Sequence, residues 1–433
     1  MNSFPQWLLF GSLLTCLSLS SIGLKAQSPF ALRFLPQEIS AQAYQPAYLA
    51  LAPAAKVAAG GHAGYALGSN VLNADLLFSE VRFLDEARKN QIIDRLGDDN
   101  RLAVRLHWDA HANVTVGKQR LSLSFAQKSL TRLAFHDPAS MQLLLFGNAP
   151  FAGTTLEDEN IQFVNRSYQE IAIGSAWKWN KLSFGTRLKG LLGQNNQTLS
   201  DLDFQLTTSE LGTSISLNHQ YDYFVAQEAG LDGWGLGLDL GVVYDWNEKL
   251  RLQASLLDVG FLTWSGNRYQ QQGEIVYEGV EITNLINLDL DNTGNLVPTD
   301  TLQDLLIAGP SNETQPELLP IRLDIGASYQ LTAADRLNLG LLWGLQPDAS
   351  GAQVPIVSLG YQRQLGNFLQ LGAHGYVGGV DTYGAGLFAR GGWTIQEKIR
   401  LSVFASLDNG MGVLMPQNSG GLAMNGGLSF GWL

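Results

Sequence analysis

At 433 residues, with 45% hydrophobic and only 15% charged residues, the chain suits one large β-architecture or two ordinary domains, and no internal linker divides it. A mean hydropathy of +0.00, with no apolar run of about twenty residues after the N-terminus, argues against a bundle of spanning helices. A net charge of -12 excludes nucleic acid as a partner, because phosphate binding needs a basic stripe.

The chain opens on an apolar stretch from Trp7 to Leu19 that has the length of a signal-peptide core, and cleavage after Ala26 is expected, making residues 1–26 a signal peptide. No Lys or Arg precedes that stretch, and Lys25 stands within the cleavage site. Cys16, the single cysteine, lies inside it in an L-L-T-C context that does not suit lipidation. The mature chain is therefore expected to carry no thiol, disulfide or thiolate metal site. Residues 27–59 lack a long alternating run and are expected to form a hatch inside a barrel or a periplasmic segment.

From residue 60 onward alternation dominates. A faint run covers Ala74 to Phe83, and Asp85 to Leu96 reads as a short helix ended by Gly97. From Leu102 to Val116 every even position is apolar, including Leu106, Trp108, Val114 and Val116, while Arg105, His107, Asp109, His111 and Asn113 face the other way. Globular strands run about five or six residues, whereas a tilted membrane-crossing strand needs about nine to eleven. A second helix is expected from Asp137, as N-cap, with Pro138 at the first position, to Phe146.

Paired runs then mark hairpins. Ile171, Ile173, Trp177 and Trp179 lead into Asn180-Lys181 and return through Leu182, Phe184, Thr186 and Leu188; Leu236 to Trp246 returns, after Asn247-Glu248-Lys249, through Leu250 to Leu256. A faint run at Gly273 to Val280, an acidic stretch from Asn287 to Asp304 and a third helix from Thr301 to Ile307 precede the last third. There, runs at Ile321–Leu331, Ile399–Leu407 and Leu422–Trp432 alternate almost without interruption, although Phe404 breaks a polar face and Leu433 follows the in-phase pair Phe430 and Trp432. The count is about fourteen strands, an even number as bacterial single-chain barrels require.

A soluble β-sandwich alternates too. Two features favour the bilayer: tryptophans crowd the apolar face at hairpin ends, where an interfacial girdle would lie, and glycines such as Gly235, Gly237, Gly241, Gly384 and Gly386 gather on the lumen side, as suits a barrel that admits a plug or channel. The predicted fold is an all-β, transmembrane, antiparallel up-and-down barrel over residues 60–433, with short helical segments.

Chemistry is sparse. His107, Asp109 and His111 sit in one row with neighbours about 7 Å apart, too spread to grip a metal easily, and His62, His136, His219 and His374 read as scattered singletons. Asp201 and Asp203 suit a wet lumen better than acid–base work, and Gly384-Ala385-Gly386 lacks the strand–turn–helix setting of a nucleotide loop. Neither an enzyme nor a cofactor is expected. What remains is a charged lumen of Arg105, Asp109, Arg120, Lys178, Arg187, Lys189, Asp239, Arg251, Arg322, Asp324, Arg390 and Arg400, with cations in excess. These residues either form ion pairs that fill the barrel or hold a plug, or else line a path for anionic amphiphiles; paired burial favours the former.

Three segments resemble a known family: Gly147-Asn148-Ala149-Pro150-Phe151-Ala152-Gly153, the G-L-G-L-D-L-G run from Gly235 to Gly241, and Asp258-Val259-Gly260-Phe261 with Trp264. They are similar to uncharacterised outer-membrane barrels of Bacteroidota, related in fold to long-chain fatty-acid transporters of the FadL type and to barrel components of type IX secretion. The family's N-P-A appears here as Gln45-Pro46-Ala47. The resemblance implies an outer-membrane location and no established activity. The expected function is passive transport of small or hydrophobic solutes, with an anchor for secretion or envelope proteins as the alternative. The expected partners are outer-membrane lipid, a hydrophobic or anionic amphiphile, and secretion or envelope proteins.

Overall fold

A computed structural model describes residues 30–51, 55–73, 84–226, 233–278, 309–345, 355–379, 382–415 and 420–433. The expected signal peptide, the faint run at 74–83, the acidic stretch at 287–304 and the helix at 301–307 lie outside the described residues.

Strands β1 (Val57–Ser69), β2 (Asn100–Val116) and β3 (Gln119–Phe135) are followed by β4, made of Thr155–Asp158 and Gln162–Trp179. Next come β5 (Leu182–Thr208), β6 (Ser214–Ala226 and Gly233–Asp245), β7 (Leu250–Glu278) and β8 (Ser311–Leu318 and Arg322–Gln330). β9 (Asp335–Gly344), β10 (Ile356–Leu365), β11 (Leu369–Val377), β12 (Tyr383–Ile395), β13 (Ile399–Asn409) and β14 (Leu422–Trp432) complete the wall. Seventeen hydrogen-bonded segments thus make fourteen strands, because both pieces of β4 pair with β5, both pieces of β6 pair with β5 and β7, and both pieces of β8 pair with β7. β1 pairs with β14 from Val57↔Trp432 to Leu67↔Leu422 and meets β2 at Gly68↔Ala103, closing an antiparallel barrel as expected.

Several boundaries differ from expectation. The wall begins at Val57 rather than residue 60, and the run from Gly273 is the end of the 29-residue β7, described through Glu278, not a strand of its own. The second helix starts at Ala139, one residue late: Pro138 occupies the cap, while Asp137 Oδ1 still accepts the Ala139 N–H at 2.8 Å. The first helix is Glu86–Ile93, capped by Asp85, whose side chain accepts the Arg88 N–H. Asn180 takes φ 51° in the two-residue turn joining Trp179 to Leu182, the backbone that such turns demand.

The wall has the polarity of a sheet facing lipid. Ile173 and Leu188 are 64% and 61% exposed on the outside, whereas Arg187 and Lys189 on the same hairpin are 3% and 1% exposed inside. Short connections at 117–118, 180–181, 246–249 and 331–334 mark one end, shared with the start of β1 and the end of β14. Residues 30–51 fill the lumen as a plug. Helices Phe30–Phe34 and Tyr48–Leu51 flank the 3₁₀ turn Ile39–Ala43, and Leu32, Phe34, Leu35, Tyr44 and Tyr48 pack against Val243, Phe388 and Phe404 of the wall. Phe404, which broke the polar face of β13, points inward to meet that plug.

Candidate functional site

The lumen holds two polar assemblies with different owners. The first belongs wholly to the wall. Glu170 on β4 accepts Lys128 of β3 at 2.7 Å and Arg187 of β5 at 2.9 Å; Asp239 on β6 takes Arg187 at 3.0 Å and Lys189 at 2.5 Å; Asp258 on β7 takes Lys189 at 2.5 Å and also Arg322 of β8. Four cations thus share three carboxylates, so nearly every buried charge has an opposite neighbour. Asp258 reaches the group through a bulge: its φ is 60°, the register of β6 against β7 shifts between Leu238 and Leu240, and its N–H donates to Asp239 Oδ1 at 2.8 Å.

Beside the network lies an apolar group of Leu191, Phe224, Leu262, Trp264 and Leu319, with Tyr168 packed against it. Lys128, the network's most open cation with a side chain 29% exposed, lies 5.8 Å from the Tyr168 ring.

The second assembly ties the plug to the wall. Arg33 pairs with Asp324 at 3.3 Å, and Glu38 accepts both Arg390 and the Ser402 hydroxyl, the latter at 2.6 Å. Gln37 donates to Gln370 at 2.7 Å, Ser255 to the Tyr44 carbonyl at 2.9 Å, and Tyr48 to Gln253. Burial pushes the Tyr44 and Tyr48 phenols above their ordinary range, so both remain protonated donors. Gly185 and Gly241 let the plug approach, since a Cβ on either would collide with the Gln45–Ala47 segment.

The histidine row is denser than its spacing suggested. Asp109 Oδ2 lies 2.8 Å from His62 Nδ1, its Oδ1 lies 3.1 Å from His111 Nε2, and His62 Nε2 lies 2.7 Å from His107 Nε2. From the plug, Ser40 donates to Asp109 at 2.9 Å, Gln42 Nε2 lies 2.8 Å from His111 Nδ1, and the Tyr44 hydroxyl lies 3.2 Å from His107 Nε2. His62 is therefore no singleton, because β1 lies alongside β2. The 7 Å estimate measures spacing along the backbone, whereas side chains lean together.

Of the residues marked in the sequence, Arg187, Lys189, Asp239 and Arg322 join the wall network, Asp324 and Arg390 hold the plug, and His107, Asp109 and His111 meet it. Arg105 is half-buried on the same strand as the histidines, and Arg400 is half-buried on β13, outside both assemblies. Arg120 donates to the Leu49 carbonyl of the plug at 3.3 Å. Lys178 is exposed at the short-turn end, where it and Arg251 share Asp245. Lys128, Asp258, Arg33 and Glu38 are participants that strand pattern did not mark, whereas Glu170 falls on the polar face that alternation assigns it. Alternation gives no signal for Asp258, because the bulge reverses its parity, although the residue opens one of the segments that carry the family resemblance.

A protein-family model described as a family of unknown function, DUF5723, matches residues 53–396. No curated protein matches the sequence. Among solved structures, the deltaS2S3 mutant of TodX, a monoaromatic hydrocarbon channel of Pseudomonas putida, is 12% identical with a TM-score of 0.50 over 91% of this chain and 94% of that one. The toluene transporter TbuX of Ralstonia pickettii is 10% identical with a TM-score of 0.45 over 95% of each chain. A Pseudomonas aeruginosa FadL homologue is 10% identical with a TM-score of 0.44 over 92% of this chain and 94% of that one. At these identities the likeness concerns the barrel fold alone.

Proposed function

The chain belongs to the DUF5723 family of unknown function, and we propose that it is a gated outer-membrane passage for small hydrophobic solutes, opened when residues 30–51 shift. The plug carries the proposal. It fills the lumen as a separate segment held by apolar packing, hydrogen bonds and a few ion pairs of side chains, so it can leave without unpairing any strand of the wall. An anchor that never opens has no use for a separable stopper. The apolar exterior and the shared barrel fold support an outer-membrane setting, with the short turns towards the periplasm. Inside, the Leu191–Trp264 group offers an apolar surface, and an anionic headgroup on a passing amphiphile would meet Lys128.

Flux of an aromatic hydrocarbon and of a small sugar is measured in liposomes holding wild type or the double variant Arg33→Ala/Glu38→Ala. Hydrocarbon flux above empty liposomes, rising further in the double variant, is the expected outcome. Folded barrel that passes neither solute in either form overturns the proposal, and a copurifying envelope protein would then favour the anchoring role.

A further inference from the structure

We propose that the seam between plug and wall at the short-turn end is a binding site for a phosphate monoester, and that the bound ester holds the plug in its seat. A cavity of about 420 Å³ opens there, within the range of small-molecule sites. Gln37, Ala50 and Leu51 line it from the plug, and Lys178 of β4, Arg251 of β7 and Arg336 of β9 line it from the wall. Strand parity turns all three cations inward: Lys178 is in phase with Glu170, Arg251 with Ser255 and Arg336 with Asn338, each of which is buried in the lumen.

Three cations meet one carboxylate here. Asp245 of β6 takes Lys178 Nζ on one oxygen at 3.0 Å and Arg251 Nε on the other at 2.7 Å, so both of its oxygens are engaged. Arg336 gives Nε and Nη2 to the Gln330 amide oxygen at 2.9 and 2.7 Å, and it pairs with no carboxylate among the described residues. The plug adds no compensation, because Glu38, the single acid of residues 30–51, is held by Arg390. Three positive charges against one negative leave two. A phosphate monoester carries about -1.5 to -2 near neutral pH and accepts the forked hydrogen bonds of arginine, whereas a carboxylate would cancel only one charge. Arg336 Nη1, which bonds to none of the described residues, is a donor for it. From the plug, Gln37 gives one amide hydrogen to Gln370 at 2.7 Å, and the second remains for the ligand. An ester that bridges Gln37 and the wall cations binds only while the plug is seated, so its binding stabilises the seated state. The site is read from the seam and its charges, and it stands whether or not the barrel passes a solute.

Binding of glycerol 3-phosphate is measured by calorimetry at low salt, with the full chain folded in maltoside micelles that carry no phosphate. Saturable binding is expected. Arg336→Gln keeps a hydrogen-bond donor but removes the charge, and it should weaken binding about tenfold, the worth of one charge-assisted hydrogen bond. Lys118→Gln removes the same charge from an exposed turn at the same end, outside the cavity, and should leave binding unchanged. With the ester at about ten times its Kd, hydrogen–deuterium exchange of residues 30–51 should slow about tenfold, as linkage to the seated plug requires. Phosphatidylglycerol doped into the micelles, a diester of one charge, should fail to displace the ester, and displacement would overturn the choice of a monoester. Absent binding, undiminished binding in folded Arg336→Gln, equal weakening by both variants, or unchanged plug exchange at saturation each overturns the proposal. Binding and protection in a barrel without hydrocarbon flux would keep this site and defeat the passage, and flux without binding would do the reverse.

Discussion

One part of the lumen is closed by the wall's own charged side chains, all on β3 to β8, whereas the rest is closed by a separate length of chain that docks all round the barrel, on Ser255 of β7 and Asp324 of β8 as well as on Asp109 of β2 and Arg390 of β12. Lys128, Glu170, Arg187, Lys189, Asp239, Asp258 and Arg322 bind one another, and every one of them sits on a strand. Opening that half means leaving buried charges without partners. In the plugged part, Arg33, Glu38, Ser40, Gln42 and Tyr44 take up wall groups one at a time. The Arg33–Asp324 and Glu38–Arg390 pairs are buried too, but displacing the plug brings water to both partners instead of leaving one charge enclosed. One half is therefore coupled to folding, and the other to position.

The largest expected effect breaks the first half. Asp239 is fully buried and receives both Arg187 and Lys189, so Asp239→Ala leaves four buried cations to share only Glu170 and Asp258. Removing one partner of a buried pair costs about 3 to 5 kcal/mol. Urea unfolding in vesicles should show that loss, while Glu38→Ala, in the plug half, should cost the wall much less. Equal losses would erase the distinction between the halves.

Strand parity made much of this barrel legible. The row of Leu106, Trp108 and Val114 against Arg105, His107 and Asp109 gave both faces of β2, and the two-residue Asn180-Lys181 turn gave the register of β4 on β5. Parity says nothing about which strands become neighbours through closure. His62 could not be joined to His107 until β1 was placed between β14 and β2. Nor does it foresee bulges, which is why Asp258 was missed. The exceptions were informative: Phe404 and Val243 are large apolar residues on the inner face, and both lie against the plug. A break in alternation marked the docking surface of a segment whose own sequence has no regular period.

The next effect tests the faces themselves. Leu106 is 49% exposed on the outside of β2, and Arg105 is the adjacent residue facing in. An arginine on the lipid face near the midplane costs about 2 to 4 kcal/mol. Leu106→Arg should therefore lower the yield of folded, heat-modifiable barrel well below that of Arg105→Leu. Matching yields would mean that the outside of β2 does not meet lipid.

The smallest effect on stability should come from a residue that touches only the plug. Gly185 faces inward on β5, and a Cβ there would collide with the Pro46 backbone. Gly190, on the same strand but facing out, has the Ile171 carbonyl oxygen 3.9 Å from its ideal Cβ, which is ordinary contact. Both positions accept valine as far as strand propensity goes, since β-branched residues suit a pleated wall. Overpacking a rigid site costs about 1 to 3 kcal/mol, but the plug side of the lumen can yield where the network side cannot. Gly185→Val should thus leave urea unfolding nearly unchanged while making residues 38–51 more accessible to protease in the folded barrel, and Gly190→Val should do neither. Resistance to protease in Gly185→Val, together with a lowered unfolding midpoint, would instead show that the plug is as rigidly built into the fold as the charged network across the lumen.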